Sequence, residues 1–319
     1  MLKTAGRSSS KPGITILQLE SYKGWVIDGM LRDALNSIEL KARWVYIPET
    51  RKSVLKWVSV FLQILTARKN LKVYGNHKTF FAVQKRRVLR FGPCRVFVTQ
   101  VLDGDKSLEH TNNQTISNVE RFLVQNFRVM DLLSTAGVER SKIVVNPGGV
   151  DRTLFFPVTD LSEISDYVLI SGSFRSRKNP ELISRVIKDN PDIRFMIHGS
   201  NLDVFSDIGP NVELIPFNFL HQPKFMREAR LHLILSQIEG GPMSVLEALA
   251  SGTPCVTTDV GFCREIVSSE KGIVLGSNPK LSEISIAIKK TWDLKKRTYN
   301  QDLLGQDCKW ETFATQLFL

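Results

Sequence analysis

Ser236-Gln-Ile-Glu239-Gly-Gly-Pro-Met-Ser-Val-Leu-Glu247-Ala-Leu-Ala-Ser-Gly252-Thr-Pro254 follows directly on the apolar run Leu231–Leu235. A strand, a glycine loop and an apolar helix therefore succeed one another without a break. Gly240 and Gly241 carry no Cβ, so the backbone can pass close to a ligand there. Pro242 suits the first helical position. The helix that follows, with Met243 and Ser244 in its first turn, would aim free N–H groups and the positive end of its dipole at an anion such as a phosphate. Glu247 is the odd residue in an otherwise apolar helix. A carboxylate there must find donors or bear a large desolvation cost. A ribose diol would supply two hydroxyls one turn beyond the phosphate site; an Arg partner or the cap of a neighbouring loop would also satisfy it. Glu239, in the loop, could face a sugar attached beyond the phosphates.

The same rhythm extends outward in both directions. Strand-like runs at Tyr167–Ile170, Arg194–His198, Val212–Ile215, Cys255–Thr257 and Gly272–Leu275 alternate with helical patterns near 178–189, 221–230, 243–251 and 261–267. In the first half, Ile14–Leu19, Arg43–Ile47, Arg95–Thr99, Arg121–Val124 and Ile143–Val145 read as strands, with helices at Trp25–Glu39, Ser53–Arg68 and Asn126–Ala136. Alternation of this kind predicts an α/β chain with two doubly wound parallel sheets. Asn146-Pro147-Gly148-Gly149 and the polar stretch to Asp166 make the best linker. The expected organisation is a short, basic first domain over 1–150, a second over 151–300, and a terminal helix over 301–319 that packs back on the first.

At 319 residues with 42% hydrophobic side chains, the chain has a soluble globular composition and enough apolar material for two cores. No apolar run reaches the about 18 residues a spanning helix needs. The N-terminal stretch Met1–Lys11 is polar and has no apolar signal core behind it. Four scattered cysteines without CxxC spacing argue against a zinc site or a disulfide framework and for a reducing cytoplasm, where the sequon at Asn113 would stay unmodified. Net charge is +11, and it is uneven. Residues 1–150 hold 24 basic and 11 acidic residues, whereas residues 151–319 hold 19 and 21.

A second motif opens the second domain. Asp166-Tyr-Val-Leu-Ile-Ser-Gly172-Ser-Phe-Arg175-Ser-Arg177-Lys178-Asn-Pro reads as strand, glycine turn, basic loop and helix start. Three cations beside a glycine turn can balance a diphosphate.

Glu239 and Glu247, with Gly-Gly-Pro between them and Glu-Ala-Leu-Ala-Ser-Gly-Thr-Pro after, resemble the signature of glycosyltransferase family 4: retaining, nucleotide-sugar-dependent enzymes of GT-B architecture. The resemblance extends well over residues 121–275 and in rhythm alone before that. It implies that Glu239 contacts the donor sugar and Glu247 the donor ribose, and that Gly172, Lys178 and the amides of Gly240, Gly241, Met243 and Ser244 hold the diphosphate. At the position where the family carries an arginine, directly after Gly172, this chain has Ser173; Arg175 or Arg177 would have to reach in. Where many members carry a histidine in the first domain this chain has Gln100, which can hydrogen-bond a sugar hydroxyl but takes up no proton. His77 and His110 are weaker substitutes, and Asp103-Gly-Asp105 reads as a turn rather than a metal loop. The resemblance implies no metal and no cofactor beyond a UDP- or GDP-linked sugar as co-substrate. It also implies front-face transfer to an acceptor hydroxyl on a glycan or lipid-linked saccharide, as in polysaccharide or lipopolysaccharide synthesis. Ser173 and Gln100 leave one alternative, a GT-B homologue that binds without transferring.

The basic excess gathers around an apolar helix, Ser53–Arg68, with Arg51, Lys52, Lys56, Arg68 and Lys69 beside Trp57, Phe61 and Leu65, and with Lys85, Arg86, Arg87 and Arg90 downstream. Such a helix can lie on an anionic membrane, peripherally, on the cytoplasmic face. The alternative is that Trp57, Phe61 and Leu65 are core and the cations flank them. No nucleic-acid-binding motif accompanies the charge.

Overall fold

The structure, a computed structural model, describes residues 13–24, 26–49, 54–84, 94–99, 116–305 and 308–319. Gln100, Asp103, Asp105, His110, the sequon at Asn113 and the basic residues at 51–52 and 85–90 lie outside them. In chain order the first half runs β1 (Ile14–Leu19), α1 (Val26–Ser37), β2 (Ala42–Ile47), α2 (Val54–Thr66), β3 (Leu71–Tyr74), α3 (His77–Gln84), β4 (Cys94–Val98), β5 (Val119–Val124), α4 (Phe127–Thr135) and β6 (Ile143–Val145). The second runs β7 (Val168–Ser173), α5 (Pro180–Asp189), β8 (Phe195–Ser200), β9 (Val212–Pro216), α6 (Gln222–Glu228), β10 (Leu231–Ile234), α7 (Met243–Ala250), β11 (Cys255–Thr258), α8 (Cys263–Ile266) and β12 (Gly272–Leu275). It closes with α9 (Leu281–Trp292), α10 (Leu294–Thr298) and α11 (Trp310–Phe318).

All the described strand pairs are parallel, in two six-stranded sheets ordered β2-β1-β3-β4-β5-β6 and β12-β11-β10-β7-β8-β9. Each order reverses once, between β1 and β3 in the first sheet and between β7 and β10 in the second. At such a switch point the crossover helices depart to opposite faces and leave a crevice at the strands' carboxyl ends.

The expected doubly wound α/β architecture is what forms, and most element limits fall within one or two residues of those read in the sequence; β7 runs three residues further, to Ser173, and the terminal helix expected over 301–319 is confined to Trp310–Phe318. One strand was not legible. Leu71-Lys-Val-Tyr74 is only four residues long and carries a charge, which spoils its apolar pattern. Lys72 is nevertheless buried, because its Nζ donates to the Arg68 and Asn70 carbonyls at the end of α2. The helix expected from residue 178 begins at Pro180. Ser176–Lys178 form a separate 3-10 turn, and Asn179 takes a left-handed conformation at the junction. Pro242 caps α7 rather than occupying its first turn.

Strand alternation puts Val96 and Val98 on one face of the first sheet, with Phe80, Phe122 and Val129, and Phe97 on the other with Ile16 and Leu31. The second face is completed by α11. Phe313 meets Phe97 edge to face at 5.1 Å, Arg95 donates to the Leu317 carbonyl, and Asn146 donates to Gln316. The last ten residues thus lie on the first sheet, after the chain has built the second.

Candidate active site

The second sheet's switch point gathers the two motifs. Gly172, the last residue but one of β7, has φ of +148°, and a Cβ there would press on the Lys178 side chain. Glycine therefore lets the loop turn back so that Lys178 reaches across to the loop after β10. There Lys178 Nζ meets Glu239 Oε1 at 2.6 Å and Arg177 Nη1 meets Oε2 at 2.7 Å, while Ser236 Oγ donates to Oε1. The two loops are also joined through their backbones, the Gln237 N–H donating to the Arg177 carbonyl. Burial pushes the Glu239 carboxyl up, but Lys178 and Arg177 outweigh it and hold it below the usual carboxylate range. Two cations against one carboxylate leave the cluster net positive. No side chain caps the N-terminus of α7 beside it, so the helix dipole adds to the same positive field. Of the two arginines offered to replace the missing one, Arg177 reaches Glu239, and Arg175 is exposed.

Glu247 lies one turn inside α7. Its Oε2 accepts from Gln222 Nε2 at 3.1 Å, and no donor among the described residues reaches Oε1. Burial pushes its pKa up to about 6, with the Gln222 hydrogen bond pulling the other way. Half of this carboxylate remains to accept hydrogen bonds from a ligand. Neither of the other partners considered for it, an arginine or a loop amide, is there.

Behind Glu247 is a relay that sequence reading missed. The Asn218 backbone N–H donates to His198 Nε2, His198 Nδ1 pairs with Gln222 Oε1 at 2.7 Å, and Gln222 Nε2 donates to Glu247 and to Ser171 Oγ. With Nε2 accepting, Nδ1 must carry the proton, so the ring is neutral; burial lowers the His198 pKa accordingly. The signal available was a histidine and a glutamine, at 198 and 222, in segments otherwise set by apolar periodicity.

Two assignments change character. Gly241 has no Cβ for the sake of the protein: one would strike the Phe262 ring and Gln125. The Met243 side chain packs toward Gly148 and Met30 on the first half, so only its backbone faces the anion site. Gly240 accepts through its carbonyl from Asn126 Nδ2 at 2.7 Å, and the Phe127 N–H donates to Glu265. Asn126, which also caps α4 by accepting from Val129 N, thus ties the carboxyl end of β5 to the loop carrying Glu239. Ser244 is half-buried in the first turn of α7. His77 is buried at the start of α3, at the carboxyl end of β3.

Two parallel six-stranded α/β units, joined at the carboxyl ends of their strands around a basic, carboxylate-bearing switch point, define the GT-B class. Residues 151–301 match the model of the family described as glycosyl transferases group 1. The chain is 25% identical over 182 residues to UDP-Gal:alpha-D-GlcNAc-diphosphoundecaprenol alpha-1,3-galactosyltransferase from Escherichia coli, an overlap of 49% of this chain and 47% of that one. It spans about half the length of the curated relatives it matches. Among solved structures, Anabaena HepE in complex with UDP-glucose superposes with a TM-score of 0.73 at 14% identity, covering 96% of this chain and 95% of that one. Sucrose-phosphate synthase from Thermosynechococcus elongatus superposes with a TM-score of 0.75, also at 14% identity, over 96% and 97%.

Proposed function

We propose that the protein is a retaining glycosyltransferase that moves a sugar from a nucleoside diphosphate sugar, UDP-linked, to a hydroxyl of a glycan or lipid-linked saccharide. The observation that carries this reading is the pair of carboxylates on one strand–helix junction, Glu239 in a two-cation clamp and Glu247 half-buried with an oxygen to spare. The UDP-Gal in the name of the Escherichia coli relative and the UDP-glucose bound to HepE support the choice of UDP.

In this reading the ribose diol donates to Glu247, and the diphosphate lies over the α7 amides beside Lys178 and Arg177. Glu239 turns from its cations to accept from the sugar's hydroxyls. As the bond from the anomeric carbon to the phosphate oxygen breaks, charge grows on the diphosphate where Lys178, Arg177 and the helix dipole already point. No metal is required for that balance. The acceptor hydroxyl attacks from the same face, its oxygen bonds to the anomeric carbon, and its proton passes to the departing phosphate oxygen, so configuration is retained. Gln100 would orient the acceptor or the sugar. The contacts of Asn126 and Glu265 hold the cleft closed and keep water out.

The experiment is UDP release from a panel of UDP- and GDP-sugars with glycan and lipid-linked acceptors, followed by NMR of the product's anomeric linkage. An α-linked product from an α-linked donor is expected. An inverted product would overturn retention, and donor binding without release for any acceptor would favour the binding-only homologue.

A further inference from the structure

We propose that the outward face of α2 is the surface by which this protein rests on an anionic lipid bilayer. The helix has three sides. Val60, Ile64 and Ala67 are buried against the first sheet, and Trp57 and Phe61 are half-buried at the edge of that core. Continuing round the same helix, Leu55, Val58, Leu62 and Leu65 are 84%, 50%, 52% and 37% exposed. At 100° per residue, these four fall on one stripe, contiguous with the core through Phe61. Only a narrow arc with Lys56, Ser59, Gln63 and Thr66 is polar. The alternative in which Trp57, Phe61 and Leu65 are all core does not hold. Leu65 is not core, and the outward stripe is made mainly of residues that reading did not single out.

An exposed apolar stripe this continuous marks an interaction surface, and the charge around it selects the occupant. In the sequence Arg51 and Lys52 lie just before the helix, Arg68 and Lys69 lie just after it, and no Asp or Glu falls between residues 50 and 100. Arg68 and Lys69, just past the end of α2, are both exposed. A second copy of the chain docked on this stripe would bring two such cationic segments together, whereas anionic headgroups complement them while the acyl boundary takes the leucines. With 13 residues the helix is about 20 Å long, too short to cross a membrane, so it lies in the interface.

The placement also suits the acceptor side of the proposed reaction, on which this inference partly rests. The chain leaves β2 through Pro48 and Glu49 into α2. These two residues, with Leu19, Tyr22 and Lys78, line a cavity of about 300 Å³ at the carboxyl ends of the first sheet. Lys56 pairs with Glu20 at 2.8 Å beside it. A bilayer under α2 would hold a lipid-linked acceptor beside that opening.

The test is cosedimentation with vesicles of phosphatidylcholine alone and of phosphatidylcholine mixed with phosphatidylglycerol, without donor or acceptor, so that it succeeds or fails independently of glycosyl transfer. Binding is expected only to the anionic vesicles, falling by about tenfold or more as salt approaches 1 M. The Leu55→Ser/Leu62→Ser variant should partition about tenfold less or worse, with wild-type melting temperature and wild-type UDP affinity. A second variant, Leu62→Trp, should show a blue-shifted tryptophan emission increment on anionic vesicles. Equal binding to neutral vesicles, wild-type partitioning of the serine variant, no spectral change at Trp, or dimerisation in solution that the serine variant abolishes would each overturn the proposal.

Discussion

The two sheets of this molecule reverse their strand order at comparable places, yet they furnish the two crevices in opposite ways. At the second switch point the loops after β7 and β10 are locked to one another, Lys178 and Arg177 on Glu239 and the Gln237 amide on the Arg177 carbonyl. At the first, the end of β1 is tied to α3 by neutral groups, Leu19 N–H and Gln18 through Thr79, and the neighbouring cavity is walled by Tyr22, Glu49 and Lys78 without an ion pair among them. The net charge runs against this, +13 on the half without such a clamp among its described residues and −2 on the half that has it. A small, highly charged ligand is handled by a few groups held in place by burial and neighbours. Diffuse charge on long exposed side chains is screened within about 8 Å at physiological salt, and suits an extended surface instead.

That contrast is broken most severely at Glu247. Replacement by alanine should raise the dissociation constant for UDP and its sugars by about 10²–10³-fold, the loss of two charge-assisted hydrogen bonds from a site shielded from water. Titration calorimetry reads it directly. Glu239→Gln should lower kcat by about 10²-fold while UDP itself still binds; if transfer survives unchanged, the clamp serves stability and not the sugar.

A pH series sharpens the same point. Because burial raises the Glu247 pKa to about 6, its carboxylate protonates as pH falls through that value, and donor affinity should weaken several-fold between about pH 7.5 and 5. Glu247→Gln should remove that dependence. The sign of the stability effect is opposite. A carboxyl whose folded pKa lies above its unfolded one costs the fold stability above the folded value and nothing below the unfolded one. Glu247→Gln should therefore stabilise the unliganded protein by up to about 2 kcal/mol at pH 7 and by little at pH 4. Thermal melts at the two pH values decide it. The smallest effect is expected at Gln222, where alanine removes one amide hydrogen bond from Glu247 and should weaken donor binding by about five- to tenfold. It should also alter the pH at which binding falls, which a merely structural loss would not do.

The division between the halves also governs how far the residues alone could be read. The Glu239–Glu247 segment stood out in the sequence because a glycine loop after a strand and the otherwise apolar helix that follows each carry a carboxylate, and the structure brings Glu239 against Lys178 and Arg177 there. The alternating rhythm was enough for the fold class. What escaped had physical causes. β3 was hidden by Lys72, whose charge is absorbed by helix-terminal carbonyls that only the folded chain brings near. Gln222 and His198 lie 25 and 49 residues from Glu247, and nothing local betrays that β8 and α6 deliver them to it. Gly241 looked like a ligand-facing glycine, and only Phe262, arriving from the next strand–helix unit, shows that its missing Cβ serves packing. On α2, periodicity gave an apolar helix but not which part of its broad apolar arc the sheet would cover.

The central claim is that Glu247 receives the donor's ribose hydroxyls, and the most direct measurement is a cycle pairing the protein change with the ligand change. The dissociation constants of UDP and of 2′,3′-dideoxy-UDP are compared on the wild type and on Glu247→Ala. The wild type is predicted to lose about 10²-fold on removal of the hydroxyls and the variant almost nothing further, since the two changes delete the same contact. An equal loss in both proteins would place the ribose elsewhere and contradict the account.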